Sequence, residues 1–168
     1  LRSWLTEAPA RGQVFLLDGI TTPANVGMII RAVTGAGAAG VIIPRRGCPE
    51  VGPLVIKGSA GVALKSTIIK CETAHEAALA LVQDGWTLGG LRARDADSLY
   101  GGPLPERMAW VLGNEATGIS ESVSEQILKW FEIPMANGVE SLNVATAAAV
   151  TAFEYRRAQR SKMEPMGA

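Results

Sequence analysis

Long apolar runs, an excess of one charge and a cysteine framework are all missing from this chain, and each absence removes a class of function. No stretch of its 168 residues approaches the roughly 20 consecutive apolar residues of a membrane-spanning helix. No charged-then-apolar segment of the secretory kind opens it either, so no membrane partner is expected. Lys plus Arg and Asp plus Glu balance at 16 each, which leaves no net field of the kind that carries nonspecific nucleic-acid binding. Any such affinity must be local or supplied elsewhere. The two cysteines, Cys48 and Cys71, lack metal-ligand spacing, so no metal is expected. Two thiols in an ordinary composition fit a reducing compartment, read here as the cytoplasm. The lone histidine, His75, falls inside a helical segment and reads as a surface imidazole.

What is present is one domain's length of chain, enough to bury a core of its own. Short apolar runs recur at 14–17, 41–43, 66–69, 86–91, 108–112 and 130–133, with helical segments between them. Continuous rather than alternating runs mark strands covered on both sides. The expected class is therefore α/β, a mostly parallel sheet with helices on both faces. Thr73 with Glu76 has capping-box spacing ahead of Ala77, Ala78, Leu81 and Val82, and Ser122 with Glu125 repeats it ahead of Ile127 and Leu128. Pro23 stands near the start of a helix bearing Val26, Ile29, Ile30 and Val33. A last helix, about 143–160, carries Val144, Ala147, Ala148, Thr151, Ala152 and Tyr155 at helical spacing, small residues suited to close packing. The domain is expected over 13–160. Residues 1–12, opening on Leu1, read as a linker or an entering helix from a missing upstream domain, and 161–168 as a frayed tail.

One tempting motif fails on context. Gly35-Ala36-Gly37-Ala38-Ala39-Gly40 has the GxGxxG pattern, but a dinucleotide fingerprint must follow a strand and open a helix so that pyrophosphate meets the helix N-terminus. Here the glycines follow a helix and precede a strand. A helix end and tight turn are the better reading.

Three polar, glycine-containing junctions carry the chemistry instead. The first, Asp18-Gly19-Ile20-Thr21-Thr22-Pro23-Ala24-Asn25-Val26-Gly27, runs on through a helix to Arg31. Asn25 and Arg31 are nearly two turns apart, so Arg31 projects farther along on a broadly similar side. A guanidinium forks two N–H bonds onto phosphate, and an Asn near a helix N-terminus can orient ribose or phosphate. The plainer alternative makes Asn25 a helix cap and Arg31 a solvated charge. The second junction, Leu112-Gly113-Asn114-Glu115-Ala116-Thr117-Gly118-Ile119, lies beyond a strand's carboxyl end, where α/β sheets bind ligands. Gly113 admits close backbone approach. Glu115 can take part in chemistry or accept backbone N–H bonds that hold the loop shut. The third, Ile133-Pro134-Met135-Ala136-Asn137-Gly138-Val139-Glu140-Ser141-Leu142-Asn143-Val144, enters a helix whose free N–H groups make Ser141 and Asn143 caps or ligand contacts. Ile133, Met135 and Leu142 offer an apolar wall.

Together these junctions resemble the three motifs of the SpoU/TrmH-type RNA 2′-O-ribose methyltransferases, members of the knotted SPOUT superfamily, over about residues 14–160. The resemblance implies S-adenosylmethionine as cofactor, held by the main chain of the third junction with Ile133, Met135 and Leu142. Gly113 and, at the end of the fourth strand, Gly90 and Leu91 are the other cofactor positions it implies. It implies Asn25, Arg31, Glu115, Ser141 and Asn143 as the catalytic set. Arg31 is expected to stabilise the alkoxide developing on the ribose and to anchor phosphate, because a guanidinium stays protonated in proteins. A C-terminal deep trefoil knot is implied too, which periodicity cannot reveal, as is a homodimer in which Arg31 acts near the partner's cofactor. The expected substrate is structured RNA, ribosomal RNA ahead of tRNA, selected through an upstream RNA-binding module. Lys57-Gly58-Ser59-Ala60-Gly61 resembles a further family segment and is read as structural. Arg45, Arg46, Arg92, Arg94, Arg156, Arg157 and Arg160 are read as solvated charge or phosphate contacts. Two other functions compete. One is a base methyltransferase of the same superfamily, against which the joint presence of Asn25, Arg31, Ser141 and Asn143 argues. The other is a non-catalytic RNA-binding module, which would bind without transferring a methyl group.

Overall fold

The computed structural model describes residues 1–163. In chain order the elements are α1 (Arg2–Thr6), β1 (Gly12–Asp18), α2 (Pro23–Gly35), β2 (Gly40–Pro44), α3 (Pro53–Gly58), β3 (Ile68–Cys71), α4 (Ala74–Gln83), β4 (Thr87–Leu91), β5 (Asp97–Ser98), β6 (Arg107–Gly113), α5 (Glu121–Ser124), β7 (Lys129–Glu132) and α6 (Val144–Met163), with a 3-10 turn at Val62–Leu64. The strands form one sheet in the order β3-β2-β1-β6-β4-β7-β5. Every neighbouring pair is parallel.

Alternate residues of β1 show why its run is continuously apolar. Phe15 and Leu17 point into a core shared with α2, α3 and α6. Val14 and Leu16 point into a second core under α4 and α5. All four are fully buried, each such side chain contributing about 1.5–3 kcal/mol relative to exposure. Helices on both faces are thus required by the strand pattern, and both are present. In the first core α2 and α3 approach closely: a Cβ on Gly27 would lie 2.5 Å from the Val55 carbonyl oxygen. Ser59, fully buried, donates from Oγ to the Ile56 carbonyl (2.9 Å) and accepts from the Ala63 N–H (3.1 Å), which is the structural use expected of its segment. The short α1 sets Trp4 against Trp86, ring centroids 5.7 Å apart, so part of 1–12 is helical and packs on the domain.

Thr73 caps α4 as its spacing predicts, its Oγ1 accepting from the Glu76 N–H at 3.2 Å. Ser122 does not repeat the device. Helix α5 starts after Ser120, without a side-chain cap, and ends at Ser124. The chain must turn there because Leu128 N–H already donates to the Leu88 carbonyl, aligning β7 beside β4. Strand β5, two residues long at the sheet edge, has no counterpart among the expected strands. Gly35 ends α2 and Gly37 adopts φ 82° before β2, so the GxGxxG stretch is a helix exit. Helix α6 continues to Met163, past the expected start of a frayed tail, and 164–168 lie outside the described residues.

Candidate active site

β1, β6, β4 and β7 lie side by side, and three of them release loops from their carboxyl ends into one cavity of about 540 Å³. Strand order reverses here: β2 and β3 continue outward from β1 on one side, while β6 and β4 extend on the other. Such a switch point leaves a crevice between diverging connections. Leu91 ends β4 and Arg92 follows it, Gly113 ends β6 with Asn114 and Glu115 after it, Ile133 and Met135 follow β7, and Ser141, Leu142 and Asn143 lead into α6, all lining the cavity.

The loop after β6 is closed by its own backbone. Asn114 N–H donates to the Gly118 carbonyl (3.0 Å) and Gly118 N–H returns to the Asn114 carbonyl (2.8 Å). A Cβ on Gly113 would overlap Gly118, so glycine is required for this turn to fold back. The Asn114 side chain completes the brace: Oδ1 accepts from the Ala116 and Thr117 N–H groups (2.8 and 3.1 Å), and Nδ2 donates to the Gly19 carbonyl (2.8 Å). Ser120 N–H donates to an Asp18 carboxylate oxygen (2.7 Å). These bonds join the first and second junctions. They also reassign a role, since holding the loop through backbone N–H bonds falls to Asn114 rather than to Glu115.

A chain of side-chain amides joins all three junctions. Asn143 caps α6, its Oδ1 accepting from Ala145 N–H at 2.9 Å and Thr146 N–H at 3.4 Å. That use of the oxygen leaves Nδ2 as donor, and it reaches Asn25 Oδ1 at 3.3 Å. Asn25 Nδ2 in turn donates to the Glu115 carboxylate. Each amide orientation is fixed by the next, so the acceptor end of the chain must be the carboxylate. Asn25 is not a cap, because α2 starts with Thr22 at the capping position and Pro23 in the first turn. It is 9 % exposed, and burial of an amide stands only because both its ends are bonded.

The structure therefore brings Glu115, Ser141, Asn143, Leu91, Gly113, Ile133, Met135 and Leu142 to one cavity, with Asn25 bonded behind it. Two expected residues stand apart. Arg31 is exposed on α2 and does not line the cavity. Gly90 is buried under the Trp130 ring, which a Cβ there would meet at 2.6 Å. Asn114 was singled out by no chemical rule, although it stands between Gly113 and Glu115. Its brace depends on bonds to Gly19, 95 residues away in sequence. The cysteines are no nucleophile candidates: burial pushes both thiols up, Cys71 to about 11. Among the described residues no cluster of ligating side chains could hold a metal ion, and no helix is long and apolar enough to cross a membrane.

A sequence model of the SpoU rRNA Methylase family matches residues 12–153. The chain is 36% identical over 154 residues to the 23S rRNA (guanosine-2'-O-)-methyltransferase RlmB of Xanthomonas axonopodis pv. citri, an overlap covering 91% of this chain and 62% of that protein. To the protein of the same name from Xylella fastidiosa it is 35% identical over 158 residues, covering 94% and 63%. The chain thus spans less than two thirds of the length of these relatives. Among solved structures, the SpoU methyltransferase AviRb from Streptomyces viridochromogenes superposes with a TM-score of 0.82 at 25% identity, covering 94% of this chain and 64% of that one. Its complex with the cofactor AdoMet gives 0.79 at 26% identity, covering 94% and 65%.

Proposed function

Because the chain belongs to the SpoU rRNA methylase family, we propose that it is the catalytic domain of an S-adenosylmethionine-dependent methyltransferase acting on a ribose 2′-hydroxyl of RNA. Ribosomal RNA is the substrate favoured over tRNA. The convergence of three separated junctions on one cavity, tied together by Asn143, Asn25 and Glu115, carries the reading. Relatives named for 23S rRNA ribose methylation support RNA sugar over RNA base, and a cytoplasmic setting follows from that substrate.

The cavity fits the cofactor. Its volume of about 540 Å³ lies within the usual range for small-molecule sites. Leu91, Leu112, Ile133 and Leu142 line it with apolar surface, and Met135, 38 % exposed, stands at its edge. Ile133, Met135 and Leu142 would flank an adenine whose polar edge meets the main chain of the third junction. Gly113 and Leu91 would supply further contacts, with Gly90 supporting Leu91 from within the sheet.

When bound, S-adenosylmethionine supplies an electrophilic methyl group. The chain's own work is to bring the ribose hydroxyl in line and to stabilise charge on its oxygen as its proton passes to solvent. Asn25 and Asn143 hold the Glu115 carboxylate at the cavity wall, and Ser141 lines the same cavity. Arg31 would serve as the fixed donor to the developing alkoxide and as the phosphate anchor, from a second copy of the chain. That arrangement is supported by its exposure outside its own cavity and by Met28 lying one turn earlier on α2. Met28 and Phe153 are exposed apolar side chains, 42 % and 51 %, on α2 and α6, two helices that pack together. A homodimer built on these two helices would cover both. The deep trefoil knot belongs to the same proposal. It is supported by family membership and by the second and third junctions enclosing one cavity.

Calorimetric titration with S-adenosylmethionine tests the site directly. Saturable binding is expected in wild type and, nearly unchanged, in Arg31→Ala, while methyl transfer to RNA is lost in Arg31→Ala. Wild-type turnover in that variant would remove Arg31 from the mechanism, and absence of cofactor binding in wild type would remove the whole reading.

A further inference from the structure

The Trp130 ring has no role in the site described above, yet it is held in a particular way. Trp86 and Trp110 are each 1 % exposed and belong to the cores. Trp130, on β7 near the sheet edge, is only half-buried. It lies over Gly90 of β4, where a Cβ would sit 2.6 Å from the ring and 2.8 Å from Ile127 Cδ1. The missing side chain at Gly90 is what lets the indole settle onto the strand. The Arg92 guanidinium lies 5.0 Å from the ring centroid, a cation-π arrangement. A guanidinium NH2 group donates to the Asp95 carbonyl, which fixes Arg92 in place.

This pair borders a surface cavity of about 610 Å³ lined also by Asp95, Asp97, Leu128 and Lys129. Lys129 is exposed and Leu128 is 69 % exposed. Arg92 lines this cavity and the methyl-donor cavity alike, so the two share one lining residue. An indole flanked by a planar guanidinium matches the face of a nucleobase, and sequence-tolerant binding of single-stranded RNA rests on such stacking. Asp95 and Asp97 repel phosphate and can accept from base N–H groups. The backbone is therefore assigned to the Lys129 side and the base to the outer face of the Arg92 guanidinium, which the indole backs.

We propose that Trp130, Arg92 and Lys129 form a stacking subsite for a base of the substrate RNA next to the ribose that is methylated. The inference rests on the RNA methyltransferase reading and adds a second contact point to it. A chain with no net charge needs such a local one.

The test is fluorescence anisotropy with a labelled single-stranded RNA 12-mer of mixed sequence and the same 12-mer carrying abasic sites, at low salt. Trp130→Ala should weaken binding to the intact probe by about tenfold or more, Trp130→Phe by less than about threefold, and neither should alter affinity for the abasic probe. Lys129→Glu should weaken both probes alike. S-adenosylmethionine affinity, measured on each variant, should stay at the wild-type value for Trp130→Phe and Lys129→Glu, which reports an intact fold. Equal RNA binding by Trp130→Ala and wild type, an equal loss on the abasic probe, or no RNA binding by wild type would each overturn the subsite. If wild type takes up the cofactor in these cases, the methyltransferase reading stands and only this inference falls.

Discussion

Asn143 shows how capping and site assembly share one side chain. Its oxygen accepts the first N–H groups of α6 and its nitrogen holds Asn25, so neither of the two roles open from the sequence excludes the other. Substitutions separate them. Asn143→Asp keeps the capping oxygen but loses the donor and sets a second carboxylate toward Glu115. It should keep α6 capped but leave the buried Asn25 oxygen without a donor, so turnover is lost and the melting temperature falls. Asn143→Ala loses both and should cost about 1 kcal/mol of stability in urea unfolding. A second pair divides the loop after β6. Asn114→Ala removes the brace and should lower the melting temperature. Glu115→Gln, whose hydrogen-bond partner among the described residues is the Asn25 amide, should fold as wild type and show its deficit in turnover alone. A stability loss in Glu115→Gln exceeding that of Asn114→Ala would return the brace to Glu115. Most of this cluster was legible because Asn25, Glu115, Ser141 and Asn143 sit in recognisable junctions. Asn114 was not, because its function is a bond across 95 residues to a carbonyl that no local pattern marks.

At the scale of elements, continuous apolar runs gave away six strands, since burial on both faces leaves a compositional trace. β5 leaves none: two residues pairing with Phe131 and Glu132 at an edge need no apolar run. The capping rule succeeded at Thr73 and failed at Ser122 for a tertiary reason. Pairing of β7 with β4 competes for the residues that a longer α5 would use. The longest helix is fastened by Tyr155, whose hydroxyl lies 2.9 Å from the Gly12 carbonyl and 2.6 Å from the Glu106 carbonyl, at the starts of β1 and β6. Burial is the main cause that pushes this phenol from 10.0 up to about 12. The folded state thus keeps a proton that the unfolded chain releases, and stability present below pH 10 is lost as pH rises toward 12. The free energy of unfolding measured across that range should fall less steeply for Tyr155→Phe than for wild type. At neutral pH the variant should be less stable by about 0.5–1.5 kcal/mol.

For the molecule as a whole, strand order was the illegible part. β6 lies between β4 and the sequence-distant β1, and no periodicity encodes which strands meet. That order nonetheless decides function, because it brings the loops after β4, β6 and β7 to one cavity. The exposed Met28 and Phe153 belong to this scale as well. Sedimentation velocity should show a dimer that Met28→Asp with Phe153→Asp converts to monomer, with loss of methyl transfer and retained fold. A wild-type monomer with full activity would place Arg31's role within one chain or nowhere. The most direct measurement is transfer of labelled methyl from S-adenosylmethionine to total RNA, followed by digestion to nucleosides. Label on the ribose 2′-oxygen of a ribosomal RNA nucleoside is the predicted result. Label on a base, or cofactor and RNA binding with no label transferred, would contradict the account.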